Sequence, residues 1–476
     1  MSYTCALSLK KIKDYLAGAA VVGFDFETSP IEEYRSEERA ALDAHKAAIT
    51  GVSLSVSEDS GIYIPLRHRA GRNIQRPEVV MDYLRQAVFE NATVIKVAHN
   101  LAFESMFLYA LGVIVQPPCY DTIAAAQLTL KSSTTFRGLS DSGLKTLVPQ
   151  LFHVELPDFE TVTAGRFFDE LDPQDKETVR YACADSDFAL RLYHLFNGWF
   201  DQYLPRHRRI VEQIESPTAV YCGLMRYNGL LMDRAAMEAK QAEAEERISA
   251  IREEIAFLIG DVEIGANAST SAFKSYLYKD LGLPVVKTTA KYQEAADDET
   301  MILLAAWCRE NRPELTRLFE LVQEYRRWGK IKGTYLDGYL RHINSATGRI
   351  HPDLMPLGTE TGRFAARNPN LQNMPRKGSD PIGIRNMLVA PEGYQVMELD
   401  YSQIELRVGA FYCRDARMLE TYRGGGDIHA QTTSVIYNIP IEQAADKSAA
   451  EYKDRRAIAK GLSLIHISEP TRPISI

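Results

Sequence analysis

The stretch Val396–Gly409, VMELDYSQIELRVG, changes its pattern midway. Gln395–Leu399 predicts a strand and Gln403–Phe411 the helix after it, which sets Asp400 beside the turn between them. Upstream, the tract from Arg363 to Arg385 holds Arg363, Arg367, Arg376, Lys377 and Arg385 against a single acid, Asp380. Inside it, Asn368–Pro375 (NPNLQNMP) is polar and proline-rich, and predicts a loop or turn. Further back, Tyr325–Lys332 (YRRWGKIK) sets Arg326, Arg327, Lys330 and Lys332 beside two aromatics. One such run is ordinarily a solvated helix face, but two in succession predict contact with phosphates.

The region before these tracts divides in two. Val21–Phe26, Gly51–Val56, Gly61–Pro65 and Thr93–Ala98 predict strands, with helices over Val79–Phe89, Phe103–Leu111 and Pro173–Phe196. That mixture predicts an α/β domain with a mixed sheet. Asp233, a candidate N-cap, opens a Glu/Ala-rich helix that stops at Gly260, with Ile248, Ile251, Ile255 and Leu258 on one stripe. Gly265–Thr270 (GANAST) predicts a loop, and Glu299–Leu321 is again helical in pattern. No internal repeat is present.

The chain has 476 residues, enough for about three domains. Its 45% apolar and 25% charged residues exclude a collagen, a mucin-like stalk and a wholly disordered chain. No run approaches 18 apolar residues, so no membrane-spanning helix is expected. Tyr15–Phe24, behind three lysines, faintly resembles a secretory leader, but it runs into Asp25 and Glu27 without a cleavage site and reads better as a buried strand. The cysteines at 5, 119, 183, 222, 308 and 413 form no C-x-x-C pair, which predicts neither disulfides nor a thiolate metal site, and a reducing cytoplasm. A net charge of −8 excludes a bulk polycation and leaves nucleic-acid binding to the local basic tracts.

At the end of the apolar run VVGFDFE, strand alternation puts Asp25 and Glu27 on one face and Phe26 on the other. Two carboxylates so placed suit a hard cation such as Mg²⁺ or Mn²⁺. The pattern D-x-E alone is weak, since it recurs at 158–160, 175–177, 261–263 and 297–299. The first copy has company. Asn100–Glu104 (NLAFE) supplies another carboxylate, and Tyr181 and Asp185, four apart, share a helical face. In that order these motifs resemble the DEDDy 3′–5′ exonucleases, as do Asp121-Thr122 and Gly138–Leu151. The resemblance implies two metal ions, with Asp25 and Asp185 as ligands, Glu27 as a ligand that helps place the water, and Tyr181 orienting it. The family usually has Asp where this chain has Glu104. One more methylene shifts a ligand by about an ångström, and such a misplacement can cost roughly a hundredfold. Activity is nonetheless expected.

Val396–Gly409 itself resembles motif A of the family A DNA polymerases. Thr361–Arg363, Pro369–Pro375, Arg385–Pro391 and Gly426–His429 resemble other ordered motifs of that family, and Asp454–Lys460 the start of its fingers helix. The resemblance implies that Asp400 binds both catalytic ions, helped by the carbonyl of Tyr401. It places Gln403, Glu405, His429, Arg456 and Lys460 at the nucleotide, with Glu405 closing the sugar pocket. Arg363, Gln372, Asn373 and, less directly, Arg385 fall to the primer-template. The implied fold is a ribonuclease-H-like α/β exonuclease domain, then a helical thumb and an incomplete palm and fingers. The expected boundaries are 1–205 for the exonuclease, 206–345 for thumb and palm-entry helices, 346–415 for a partial palm and 416–461 for partial fingers.

Leu462–Arg472 (LSLIHISEPTR) matches one reading frame of a transposon-end sequencing adapter, and Pro470 and Pro473 stand where the helix should continue. Residues 462–476 are therefore expected to be a non-native tail, and the layout is that of a bacteriophage-like polymerase cut short. The expected function is template-directed dNTP addition with 3′–5′ proofreading in DNA replication, this chain keeping the exonuclease and losing synthesis. Expected partners are primer-template DNA, single-stranded 3′ ends and dNTPs, in the cytoplasm, a bacterial host's for a phage gene. No processivity factor is legible. The rivals are a stand-alone exonuclease whose C-terminal half grips DNA, and a non-catalytic DNA-binding scaffold.

Overall fold

The computed structural model describes residues 1–132, 141–289, 291–359, 361–375, 380, 382–446, 448, 451–452 and 454–459. Residues Met1–Tyr394 form one compact unit and those from Gln395 on a second, a division that falls inside the expected 346–415 segment.

The first unit opens with a mixed six-stranded sheet of β1 (Ser2–Cys5), β2 (Val21–Pro30), β3 (Ala47–Ser55), β4 (Ser60–Pro65), β5 (Ile95–Ala98) and β6 (Cys119–Asp121), in the order β1-β4-β3-β2-β5-β6. β2 is central, antiparallel to β3 and parallel to β5. Its alternation is read by two layers. Phe24 and Phe26 pack edge-on with Phe89, at 5.2 and 5.9 Å between ring centroids, while Gly23 faces the helix Lys176–Tyr203. A Cβ on Gly23 would lie 2.4 Å from the Ser186 carbonyl oxygen, so only glycine lets that helix lie so close to the strand. The leader-like Tyr15–Phe24 ends as the start of β2, with Val22 and Phe24 buried. β1 and β6, four and three residues long, escape the sequence reading because so few residues display no alternation.

Beyond the sheet, Asp233 does cap the helix Arg234–Ile259, accepting from the Ala236 amide, and Gly260 ends it. Its buried stripe is Ile248, Ile251, Ile255 and Ile259; the expected Leu258 is exposed. Spacings of 3, 4 and 4 follow the 3.6-residue turn more closely than a closing step of 3. The expected helix Glu299–Leu321 is two helices, Asp298–Asn311 and Thr316–Lys330, because Pro313 lacks the amide needed to continue. The buried faces of these three helices meet in a core with Phe273, Leu277, Leu304 and Phe319.

The strand expected over Gln395–Leu399 does not form. Among the described residues no chain lies alongside to take its amides and carbonyls, and a strand without a neighbour is not stable in water. The helix after it runs Ile404–Cys413. All six cysteines are free, and no described helix is long and apolar enough to cross a membrane.

Candidate active site

Four carboxylates gather on the helix-covered face of the sheet. Asp25 and Glu27 stand on β2 opposite Ser53 and Gly51 of β3, and a β-bulge follows immediately, between Glu27 and Thr28. Such bulges re-aim side chains beside active sites. Asp185 comes from the helix Lys176–Tyr203, carried over β2 by the close approach at Gly23. Glu104 comes from the first turn of the helix Leu101–Ala110.

Each carboxyl is pushed above its usual range, first by burial; for Asp25 the charge of Asp185 adds to this, and for Glu27 those of Asp25 and Asp185. Glu104 is raised by burial and then by Asp25, Asp121 and Asp185. Buried like charges of this kind cost free energy until a cation joins them. Glu27 Oε1 and Glu104 Oε2 are buried with no hydrogen-bond partner among the described residues. Hard oxygen donors in excess of protons and partners fit a divalent cation. Among the described residues no three acidic, histidine or cysteine side chains are drawn to coordination distance, as expected of carboxylates that repel one another.

Tyr181 stands one helical turn before Asp185, buried against Phe159 and Phe168. Burial, then Glu27, Asp185 and Asp25, push its phenol up, so it keeps its proton at neutral pH. The other D-x-E copies behave differently. Asp158, Asp175 and Asp297 each cap a helix N-terminus, accepting from amides two or three residues on.

Three features escaped the sequence reading. Lys145 places Nζ 2.9 Å from Asp185 Oδ1 and 4.7 Å from the Tyr181 ring centroid. Asp121, quoted only as part of a motif, accepts from the amides of Asn100, Leu101 and Ile123 and so anchors the turn that launches the Glu104 helix. Its own amide donates to Ser216 Oγ. Ser216 opens the helix Ser216–Asn228, outside the expected 1–205 domain, which packs on the Glu104 helix. There a Cβ on Gly223 would sit 2.4 Å from the Ala102 carbonyl oxygen. These are contacts between distant segments, and spacing does not display them.

The basic tracts divide. Arg326 is withdrawn from the expected phosphate role: its guanidinium pairs with Asp298 at 3.0 Å and donates to the carbonyls of Ala268 and Ala296. Lys332 pairs with Glu245 and Asp337. Arg327 and Lys330 remain exposed. Arg363, Gln372, Asn373 and Arg385 are exposed around the expected loop. Arg385 braces it, donating to the Pro375 carbonyl, and Tyr335 donates to the Asn373 carbonyl.

In the second unit, Asp400 and Tyr401 are exposed on the unpaired segment. Gln403, Glu405, His429 and Arg456 lie on helices or their caps, and three of these four meet at one acid, Asp427. It accepts from Gln403 Nε2 at 2.7 Å and the His429 amide at 2.8 Å, and pairs with Arg456 at 2.5 Å. Burial pushes Asp427 up, but Arg456 and Gln403 outweigh it and hold the carboxyl below its usual range. Lys460, with Arg376, Lys377 and the expected tail 462–476, lies outside the described residues.

Residues 234–463 match the model of DNA polymerase family A, and residues 2–198 that of the 3′–5′ exonuclease domain. The chain is 29% identical over 462 residues to DNA polymerase I of Pseudomonas aeruginosa, covering 95% of this chain and 46% of that one. It is 32% identical over 235 residues to the thermostable DNA polymerase I of Thermus aquaticus, covering 49% of this chain and 27% of that one. The chain thus spans less than half the length of these curated relatives. Its fold is similar to the polymerase domain of Pol1 from M. smegmatis, solved with DNA primer-template and dNTP. The TM-score is 0.74 at 21% identity, over 97% of this chain and 71% of that one.

Proposed function

From a chain that belongs to the family A DNA polymerases and carries a 3′–5′ exonuclease domain, we propose an enzyme that removes nucleotides from DNA 3′ ends. We place the reaction at Asp25, Glu27, Glu104, Tyr181 and Asp185. The observation that carries this is the set of four mutually repelling carboxylates, Glu27 and Glu104 buried and Asp25 and Asp185 half-buried, with Glu27 and Glu104 each keeping an oxygen that has no partner among the described residues. Asp25, Glu27, Glu104 and Asp185 would hold divalent ions, Mg²⁺ first and Mn²⁺ as a substitute. Such ions supply a water acidic enough to attack at neutral pH and charge to stabilise the leaving oxygen. Glu27 positions that water, and the protonated Tyr181 hydroxyl donates to it. Glu104, a methylene longer than the family's aspartate, reaches the cluster from its braced helix.

The parent protein, on this reading, is a DNA-directed DNA polymerase with proofreading that works in replication in the cytoplasm. Its polymerase half keeps Asp400 and Tyr401 for the ions. Gln403, Glu405, His429, Arg456 and Lys460 serve the dNTP, and Arg363, Gln372, Asn373 and Arg385 the primer-template. DNA is gripped mainly through phosphate charge, so binding weakens steeply with salt.

The test is a 5′-labelled primer on a longer template with Mg²⁺, with and without dNTPs. Shortening in both lanes, lost with EDTA, is expected. Extension with dNTPs would show that this chain also synthesises DNA, and an unchanged primer in every lane would favour a non-catalytic scaffold.

A further inference from the structure

The exonuclease carboxylates come with a cation of the chain's own. Lys145 is the second residue of the helix Leu144–Phe152, an element separate from the sheet and from the Asp185 helix. Its Nζ lies 2.9 Å from Asp185 Oδ1, and its ammonium also lies over the face of Tyr181. Forty residues separate Lys145 from Asp185, so the pairing belongs to the assembled site and not to a local helical repeat. The partners differ in exposure: the Asp185 side chain is 16% accessible and that of Lys145 43%. The carboxylate is held in place while the ammonium stands at the rim on a flexible stem.

We propose that Lys145 is the resident counter-ion of the exonuclease site, holding Asp185 until a divalent cation displaces it, and so setting the cation concentration at which the site loads. The inference rests on the exonuclease reading above. A single ammonium cannot balance Asp25, Glu27, Glu104 and Asp185, so the site retains a surplus of negative charge that draws a more highly charged ion. An ammonium that stayed 2.9 Å from Asp185 would repel such an ion from the same carboxylate. A half-exposed lysine can turn into solvent without disturbing the core, which a buried arginine could not do. Lys145 therefore steadies the empty site and opposes its filling. It is a positioning residue, since it acts through Asp185.

The experiment measures Mn²⁺ binding to the full chain by calorimetry. The binding that Asp25→Ala abolishes is taken as that of this site. Lys145→Met is expected to bind Mn²⁺ about tenfold more tightly at this site, the effect of removing one nearby positive charge. Lys145→Arg should bind as the native chain does. In EDTA, Lys145→Met should unfold at a lower temperature than the native chain, and saturating Mn²⁺ should close the gap. Equal or weaker Mn²⁺ binding by Lys145→Met would overturn the proposal, as would a thermal deficit that persists in Mn²⁺, which marks a merely structural lysine. If the native chain shows no Mn²⁺ binding that depends on Asp25, the exonuclease reading itself fails, and this inference with it.

Discussion

Val21–Glu27 and Val396–Asp400 are built to one local plan, an apolar run that delivers a carboxylate at its end. In the first, sheet neighbours on both sides and a layer with Leu84 and Phe89 bury Val22, Phe24 and Phe26, while on the other face the helix Lys176–Tyr203 brings Asp185 to Asp25 and Glu27. In the second, Leu399 is 86% exposed, Met397 79%, and Asp400 is open to solvent. The same kind of sequence becomes an electrostatically loaded site in one place and an unpaired segment in the other. What differs is the supply of partners, since strand hydrogen bonds and apolar burial both need a second surface.

The comparison can be broken most directly at the acids. Asp25→Ala should cut 3′-end shortening by about a thousandfold, because several kcal/mol of ion-borne stabilisation are lost. Asp400→Ala should leave shortening unchanged in the same gel assay. At the apolar positions, Phe24→Ala should cost about 3–5 kcal/mol in denaturant unfolding, as a core cavity does.

The brace on Glu104 gives a smaller effect. Gly223→Val, forced against the Ala102 carbonyl, should cost about 1–3 kcal/mol and weaken Mn²⁺ binding at the exonuclease site. Asp121, which holds the start of that helix through the Asn100 and Leu101 amides, should remain hydrogen-bonded, so the protein still folds. A Gly223→Val protein with native Mn²⁺ affinity would show that the helix Ser216–Asn228 supports the fold but not the site.

His99 sharpens the comparison through pH. Burial lowers its pKa from 6.5 to about 4, so the folded chain holds it neutral while the unfolded chain takes up a proton. Its contribution is complete above about pH 6.5 and is lost as the pH falls toward about 4. His99→Gln should flatten that limb of the stability profile in urea titrations. Smallest of all is Leu399→Ala, expected within about 0.5 kcal/mol of the native chain because the side chain is already in water. A larger loss would mean that Leu399 is buried in solution.

Much of the candidate site was legible in the sequence because its signals are local. Alternation sets Asp25 and Glu27 on one face, and a spacing of four sets Tyr181 and Asp185 on another. The repeated D-x-E looked like competition until three copies proved to be helix caps, a role the same residue types fill through backbone amides. Lys145 and Asp427 were not legible as hubs, since each meets side-chain partners 24 or more residues away that no periodicity links to it. The phosphate role expected of Arg326 failed for a related reason: composition counts charges but cannot say that Asp298 and two carbonyls already hold one.

By itself the sequence determined which segments can be strands or helices, where the helix from Asp233 to Gly260 is capped and stops, and which acids can share a face. These follow from backbone geometry within a few residues. Only the tertiary structure decided that Gly23 would admit a helix over β2, that Gly223 would brace Glu104, and that Gln395–Leu399 would stay unpaired. Each of those outcomes depends on whether a distant surface arrives to exclude water and complete the hydrogen bonds, and that information is not carried by local spacing.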